Sequence, residues 1–271
     1  MQLPPGLQTR LSLPEAVGLS LSMIAPTVTA AFNITLVVRA AGPAAPLTFA
    51  IGIVAMALVA LSFIAFSRRV AHAGSAYAYI THTFGSRAGF IAGWTLLLTY
   101  LGFATGFAGL IGSFSAAILK RFGFDIGPWW IAVGTAAMLL AWWLAFRDMR
   151  LAGRLMLALE AVAVLAIIAL CCNILRNVHP TLEQSLVSFR PSADFGGWVA
   201  IGFGMVFTVL SFGGFEGAAT LGEETVNPRR NIPIAMFATV IGAGAFFVFV
   251  ADCEIIGYGP AGIRDLAKAD A

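Results

Sequence analysis

Ser211-Phe-Gly-Gly-Phe-Glu-Gly217 lies deep inside an apolar stretch, residues 195–222, in which Glu216 is the only charged side chain. The stretch leads into Asn227-Pro-Arg-Arg-Asn-Ile-Pro233. A helix that crosses lipid is built from apolar residues with good helix geometry. Here paired glycines and a carboxylate fall roughly half-way across. Lipid cannot hydrogen-bond a freed backbone group, so broken helix is tolerated at membrane depth only where it lines a cavity or is buried in protein. A break with a polar residue beside it therefore predicts a binding site near the bilayer midplane, the way secondary transporters are built.

The rest of the chain agrees with a membrane setting. It is 59% hydrophobic and 11% charged, with a mean hydropathy of +0.90. A soluble protein of this size carries about 25% charged residues, so the excess apolar surface is expected to face a lipid bilayer. The net charge of +3 and the absence of a basic stripe give no argument for nucleic acid. Cys171, Cys172 and Cys253 lie in or beside apolar stretches. They form no CxxC or Cys/His spacing, so neither a metal site nor a disulfide framework is expected, and no cofactor motif is present. The N-terminus lacks a short apolar stretch followed by a small-residue cleavage site, so the first apolar segment is expected to stay in the mature protein.

Charges punctuate the chain. Residues 16–38, 40–67, 88–119, 126–146 and 231–251 carry none, and residues 155–175 carry only Glu160. A span takes about 20 apolar residues. The pattern predicts an all-α protein, a single transmembrane domain over residues 1–271 with spans at about 16–38, 44–67, 86–119, 127–147, 151–175, 196–224 and 231–256. Arg10, Arg68, Arg69, Arg87, Arg147, Arg150, Arg154, Arg229 and Arg230 gather at alternate ends, outnumbering Arg39, Lys120, Arg121, Arg176 and Arg190 opposite. That bias puts the N-terminus in the cytoplasm, as expected for a plasma (inner) membrane protein.

The first span is interrupted too. In Gly18-Leu-Ser-Leu-Ser-Met-Ile-Ala-Pro-Thr-Val-Thr29, Pro26 removes a backbone donor and clashes with the preceding turn. Ser20, Ser22, Thr27 and Thr29 surround it. One reading is a proline kink with hydroxyls bonding back to the helix. The other is a functional break, since alternating spans make helices one and six antiparallel, the signature of an inverted repeat with its site at the break.

Three stretches carry a resemblance: Gly18 to Val28; Ala73-Gly-Ser-Ala-Tyr-Ala-Tyr-Ile-Thr-His-Thr-Phe-Gly85 with Gly93-Trp94; and Ser211 to Pro233. From about residue 12 to 258 the chain resembles the amino acid–polyamine–organocation transporter superfamily, which has the LeuT-like fold. The resemblance implies an inverted-repeat helical bundle of about twelve helices, two five-helix repeats plus a terminal pair. This sequence ends after the seventh expected span, with the first repeat and two helices of the second. It is expected to be the N-terminal part of a longer permease, or to need a partner.

The broken helices assign roles. The break around Ala25, Pro26 and Thr27 frees backbone amides at a helix start, which favour an anion such as an amino-acid carboxylate. Thr27 and Ser22 can add hydroxyl contacts. Carbonyls freed around Ser211, Phe212, Gly213 and Gly214 suit an ammonium group, and Phe212 or Phe215 can gate the site. The resemblance implies the same division of labour for an amino acid or amine. Gly213-Gly214 also permits tight helix packing alone.

Glu216 and Glu160 are the acids well inside the spans. Each is either a proton-coupling group or a structural one. The resemblance places a lysine in helix five of some relatives, serving as a substitute cation. Glu160 stands near there, so that mechanism is not expected, and coupling to protons, to sodium or to exchange stays open. Aromatics Tyr100 and Phe103 line the cavity or pack the core. His72, His82 and His179 are expected at the surface, Glu223 and Glu224 in salt bridges with Arg229 and Arg230, and Asp252 and Glu254 at the outer end of helix seven. The expected function is transport by a secondary active permease rather than catalysis, with an accessory or sensor subunit, or an inactive fragment, as the alternative.

Overall fold

The computed structural model describes residues 11–68, 74–147, 149–221 and 225–268. Ser12 opens the first helix, α1 (Leu13–Ile24). Its N–H and hydroxyl donate to Glu15 Oε2 at 2.8 and 2.7 Å, a capping pair that satisfies donors the helix start leaves over. α1 stops because Ala25 precedes Pro26. Proline's ring disfavours helical geometry at the residue before it, and Ala25 takes the left-handed region at φ 51°, ψ 64°. The chain restarts as α2 (Pro26–Val28), passes through a π-turn at Thr29–Asn33 and continues as α3 (Ile34–Ala41). Gly42, at φ 62° before Pro43, ends it.

The apolar helix α4 (Ala45–Ser67) follows, then α5 (Ser75–Phe84), α6 (Ser86–Arg121), α7 (Trp130–Arg147) and α8 (Met149–Val178). The short α9 (Leu182–Val187) precedes α10 (Gly197–Ser211), α11 (Gly217–Thr220) and α12 (Pro228–Lys268). The Asn227-Pro-Arg-Arg-Asn motif starts α12. The Asn227 carbonyl accepts from the Arg230 and Asn231 N–H groups at 2.9 and 3.0 Å, and Asn231 Nδ2 donates back to the Val226 carbonyl at 2.6 Å. Pro228 stands where its missing N–H leaves no bond unmade.

The described chain forms two compact units, Met1–Ser75 with Leu157–Ala271, and Ala76–Met156. In the first, α4 lies along α12, α3 packs on α10, and α1 packs on α12. Phe49, Phe212 and Phe247 are its fully buried aromatic centre. The Phe247 ring lies 5.6 Å from that of Phe49 and 5.4 Å, edge-on, from that of Phe212. In the second unit α6 packs on α7. That contact is very close, because a Cβ on Gly112 would come within 2.3 Å of the Trp130 carbonyl oxygen and one on Gly134 within 2.2 Å of that of Ala108.

Among the described residues, five helical stretches are long and apolar enough to cross a membrane: Leu13–Ser67, Ser86–Arg121, Gly127–Arg147, Gly153–Val178 and Pro228–Asp265. The first holds two of the expected spans in one run. The expected sixth span is divided between Gly197–Ser211 and α11. Helix seven leaves helical geometry at Gly259 (φ 65°), before Pro260, just beyond the expected span end at 256, and a further helical stretch runs to Lys268. One expectation changes. Asp252 is half-buried and accepts a hydrogen bond from the buried Ser188 hydroxyl, so solvation alone does not explain it. The readings for His72 and for the Glu223 and Glu224 ion pairs lie outside the described residues.

Candidate functional site

Both interrupted helices break where the sequence is irregular, and the breaks touch. After α10 the chain turns through residues 212–216 before α11 begins. Three N–H groups there bond three residues back: Phe212 to Val209, Gly213 to Leu210 and Phe215 to Phe212, at 3.0–3.1 Å. The Gly217 N–H goes to the Gly214 carbonyl at 2.9 Å. The Ser211 and Gly213 carbonyls thereby lose the donors they would have four residues on in a regular helix. Gly214 sits at φ 98°, a conformation glycine adopts freely. Its Cα faces the helix-one break so closely that a Cβ would lie 2.6 Å from the Met23 carbonyl oxygen.

The donors of the helix-one break are all engaged. The Ala25 N–H goes to the Ser22 carbonyl at 3.1 Å, and the Val28 and Thr29 N–H groups go to the Ala25 carbonyl at 3.0 and 3.4 Å. Pro26 has none to give. The Thr27 N–H donates to Glu160 Oε1 and the Thr27 hydroxyl to Glu160 Oε2, each at 2.9 Å. Glu160 thus reaches from α8 across 133 positions of sequence to the start of α2. A carboxylate there meets an unpaired donor and the positive end of a helix together. Sequence reasoning placed Glu160 in the membrane and gave the freed amide to a cargo carboxylate. The structure gives that amide to Glu160.

The remaining expected residues separate into two groups. Ser22 is buried with its hydroxyl bonded back to the Gly18 carbonyl at 3.0 Å, the back-bond that goes with a proline kink. Ala25, Pro26, Thr27, Gly213 and Gly214 are at the breaks. Ser211, also buried, donates to the Phe207 carbonyl at 2.7 Å. The Phe212 ring is fully buried against Phe247, which accounts for it without a cargo contact. Phe215 packs edge-on against Phe63 at 5.2 Å. Glu216 is half-buried at the N-cap position of α11, and its carbonyl accepts from the Ala219 N–H at 2.8 Å. A groove of about 390 Å³ lined by Tyr77, Thr81, Ser86, Phe90, Gly93, Trp94 and Leu97 contains none of these residues. Among the described residues no His, Cys, Asp and Glu cluster could hold a metal ion.

One tie between the two interrupted helices escaped the sequence. Asn33, buried in the π-turn, donates through Nδ2 to Ser211 Oγ at 3.0 Å and ties the second half of helix one to the last turn before the helix-six break. The available signal was an amide side chain inside a charge-free span, but nothing in the sequence paired it with Ser211. Asn33→Leu should destabilise the detergent-solubilised protein by about 1 kcal/mol, seen as a thermal midpoint lower by roughly 2–4 °C. An unchanged midpoint would show that the bond contributes nothing.

Residues 11–258 match the amino acid permease family. The chain is 28% identical over 227 residues to the branched-chain amino acid permease BcaP of Lactococcus lactis, which covers 78% of this chain and 48% of that protein. It is 30% identical over 229 residues to human cationic amino acid transporter 4, covering 77% of this chain and 34% of the relative. It is 30% identical over 212 residues to the low-affinity putrescine importer PlaP of Escherichia coli K12, covering 75% and 44%. The chain therefore spans about half the length of these relatives or less. No solved structure matches it.

Proposed function

The chain belongs to the amino acid permease family, and from that premise we propose that its full-length product carries a small amino acid or amine across a membrane as a secondary active permease. It is an integral, multi-pass membrane protein. The single observation that carries the proposal is the contact between the two breaks, where Gly214 abuts the Met23 carbonyl. Backbone groups released at both breaks line one place, and released backbone groups in a membrane chain are where cargo is held. The relatives' printed names, spanning branched-chain and cationic amino acids and putrescine, support a cargo with an amino group.

In this reading the chain has seven spans, a cytoplasmic N-terminus and a place in the plasma membrane. The cargo sits at Ala25, Pro26 and Thr27 on one side and at Ser211, Gly213 and Gly214 on the other. Transport proceeds by one repeat moving against the other around that fixed place. Glu216, beside the helix-six break, is the first group proposed to bind a proton during the cycle.

The test is uptake of labelled amino acids and amines by the full-length gene product in proteoliposomes, with and without an imposed pH gradient. Saturable, cargo-specific uptake is expected, driven by an inward proton gradient in the parent. In Glu216→Gln the gradient should no longer drive accumulation, while exchange of internal for external cargo persists. Uptake that ignores the pH gradient but follows a sodium gradient would reject the proton role. Absence of specific uptake under every gradient would reject the permease reading.

A further inference from the structure

We propose that Glu160 is a built-in carboxylate of the cargo site, standing where the cargo's own carboxylate would bind, and that the cargo is an amine cation lacking an α-carboxylate. The inference rests on the permease reading above. Its basis is an inventory of donors and acceptors at the two breaks. On the donor side, the N–H groups of Ala25, Val28 and Thr29 bond within the break and Pro26 has none. Thr27 gives both its N–H and its hydroxyl to Glu160. No backbone donor from residue 25 to residue 29 is left for an anion.

The acceptor side is the reverse. A regular helix would give the Met23 and Ile24 carbonyls the N–H groups of Thr27 and Val28, but these bond to Glu160 and to Ala25 instead. The Ser211 and Gly213 carbonyls lose their donors in the same way across the contact. On the helix-one side the lining thus offers carbonyl oxygens and one carboxylate, all of which accept. An ammonium group is donor-only and positive, so it fits. A second carboxylate would face Glu160 with no N–H from residues 25–29 to receive it, and specificity built from an unpaired like charge is a strong form of rejection. Glu160 is held at both oxygens by one residue, so its charge is fixed in place rather than free to swing aside.

The experiment compares two cargos that differ by one carboxylate, putrescine and ornithine, taken up by the full-length gene product in proteoliposomes. The parent should prefer putrescine by at least about tenfold in kcat/KM. Glu160→Gly removes the side chain and exposes the Thr27 N–H and hydroxyl, and should move the ratio toward ornithine by about tenfold or more. Glu160→Gln keeps the size and one acceptor oxygen but loses the charge. It should lower putrescine uptake while leaving a monodisperse, folded protein, and it carries the test if the glycine variant does not fold. Ornithine taken up as well as putrescine by the parent, or a ratio unchanged in both folded variants, overturns the inference and leaves the permease reading standing. Uptake of neither cargo nor of any other amine or amino acid overturns both.

Discussion

Gly214→Ala should lower cargo uptake by more than about tenfold, whereas Gly217→Ala, three positions on, should change it by less than about threefold. The two glycines face the same residue, Met23, through different atoms. At Gly214 an added Cβ would lie 2.6 Å from the Met23 carbonyl oxygen, 3.0 Å from its carbon and 3.4 Å from the Ile24 nitrogen. These are backbone atoms at the end of α1 and cannot rotate away. The φ of 98° adds strain for any L side chain, on the order of 1–3 kcal/mol, and about 1.4 kcal/mol already amounts to a tenfold effect. The substitution must pull the two breaks apart, and the acceptors that line the site move with them. At Gly217 the nearest atoms are Met23 Sδ at 2.4 Å and Cε at 2.8 Å. They belong to the far end of a flexible, partly exposed side chain that can swing aside. Uptake kinetics and cargo-induced thermal shift of both variants in parallel provide the check. Equal effects at the two positions would mean that the breaks do not need their close approach.

Position along the chain was legible, and pairing was not. Pro26 and Gly213-Gly214 announce their breaks through backbone chemistry alone, because proline lacks a donor and glycine lacks a Cβ. The charge-free stretches likewise announced helices, since apolar length is a property of sequence. What Glu160 does could not be read. Its depth in an apolar stretch said that it needs a partner, but Thr27 is 133 positions away, and two broken helices offer several places where a carboxylate is welcome. Whether Gly214 frees backbone for cargo or permits close packing also needed the structure. A glycine reads the same in a sequence whether it makes room or permits contact, and here it permits contact with Met23. Phe212 has the same ambiguity, since an aromatic beside a break suits a gate or a core; in the structure its ring is buried against Phe247. Asp252 reads in sequence as a solvated helix end, because nothing there pairs it with Ser188, whose hydroxyl donates to it.

Gly134→Leu should remove most folded protein while leaving the KM of the surviving fraction unchanged. Ala108 and Gly112 are one turn apart on α6, and Trp130 and Gly134 one turn apart on α7. The close contacts pair Gly112 with Trp130 and Gly134 with Ala108, so two antiparallel helices meet backbone to backbone over a full turn. In lipid no hydrophobic force drives two helices together, and close packing through small residues supplies much of what holds them. A Cβ on Gly134 would stand 2.2 Å from the Ala108 carbonyl oxygen and 3.0 Å from its carbon, with no rotamer to relieve either. Overpacking of this kind costs about 1–3 kcal/mol for a single extra group, and leucine adds four carbons where one already collides. The helices must separate, and the Gly112 contact opens with them. Yield of monodisperse protein after extraction, the thermal midpoint, and KM against Vmax together make the test. Yield and midpoint should fall, and Vmax per unit of membrane protein should fall in step with yield. KM should hold, because the residues at the breaks all lie in the first unit and α7 belongs to the second. A normal yield with a raised KM would be the opposite result. It would mean that the hairpin tunes the site rather than holding the second unit together.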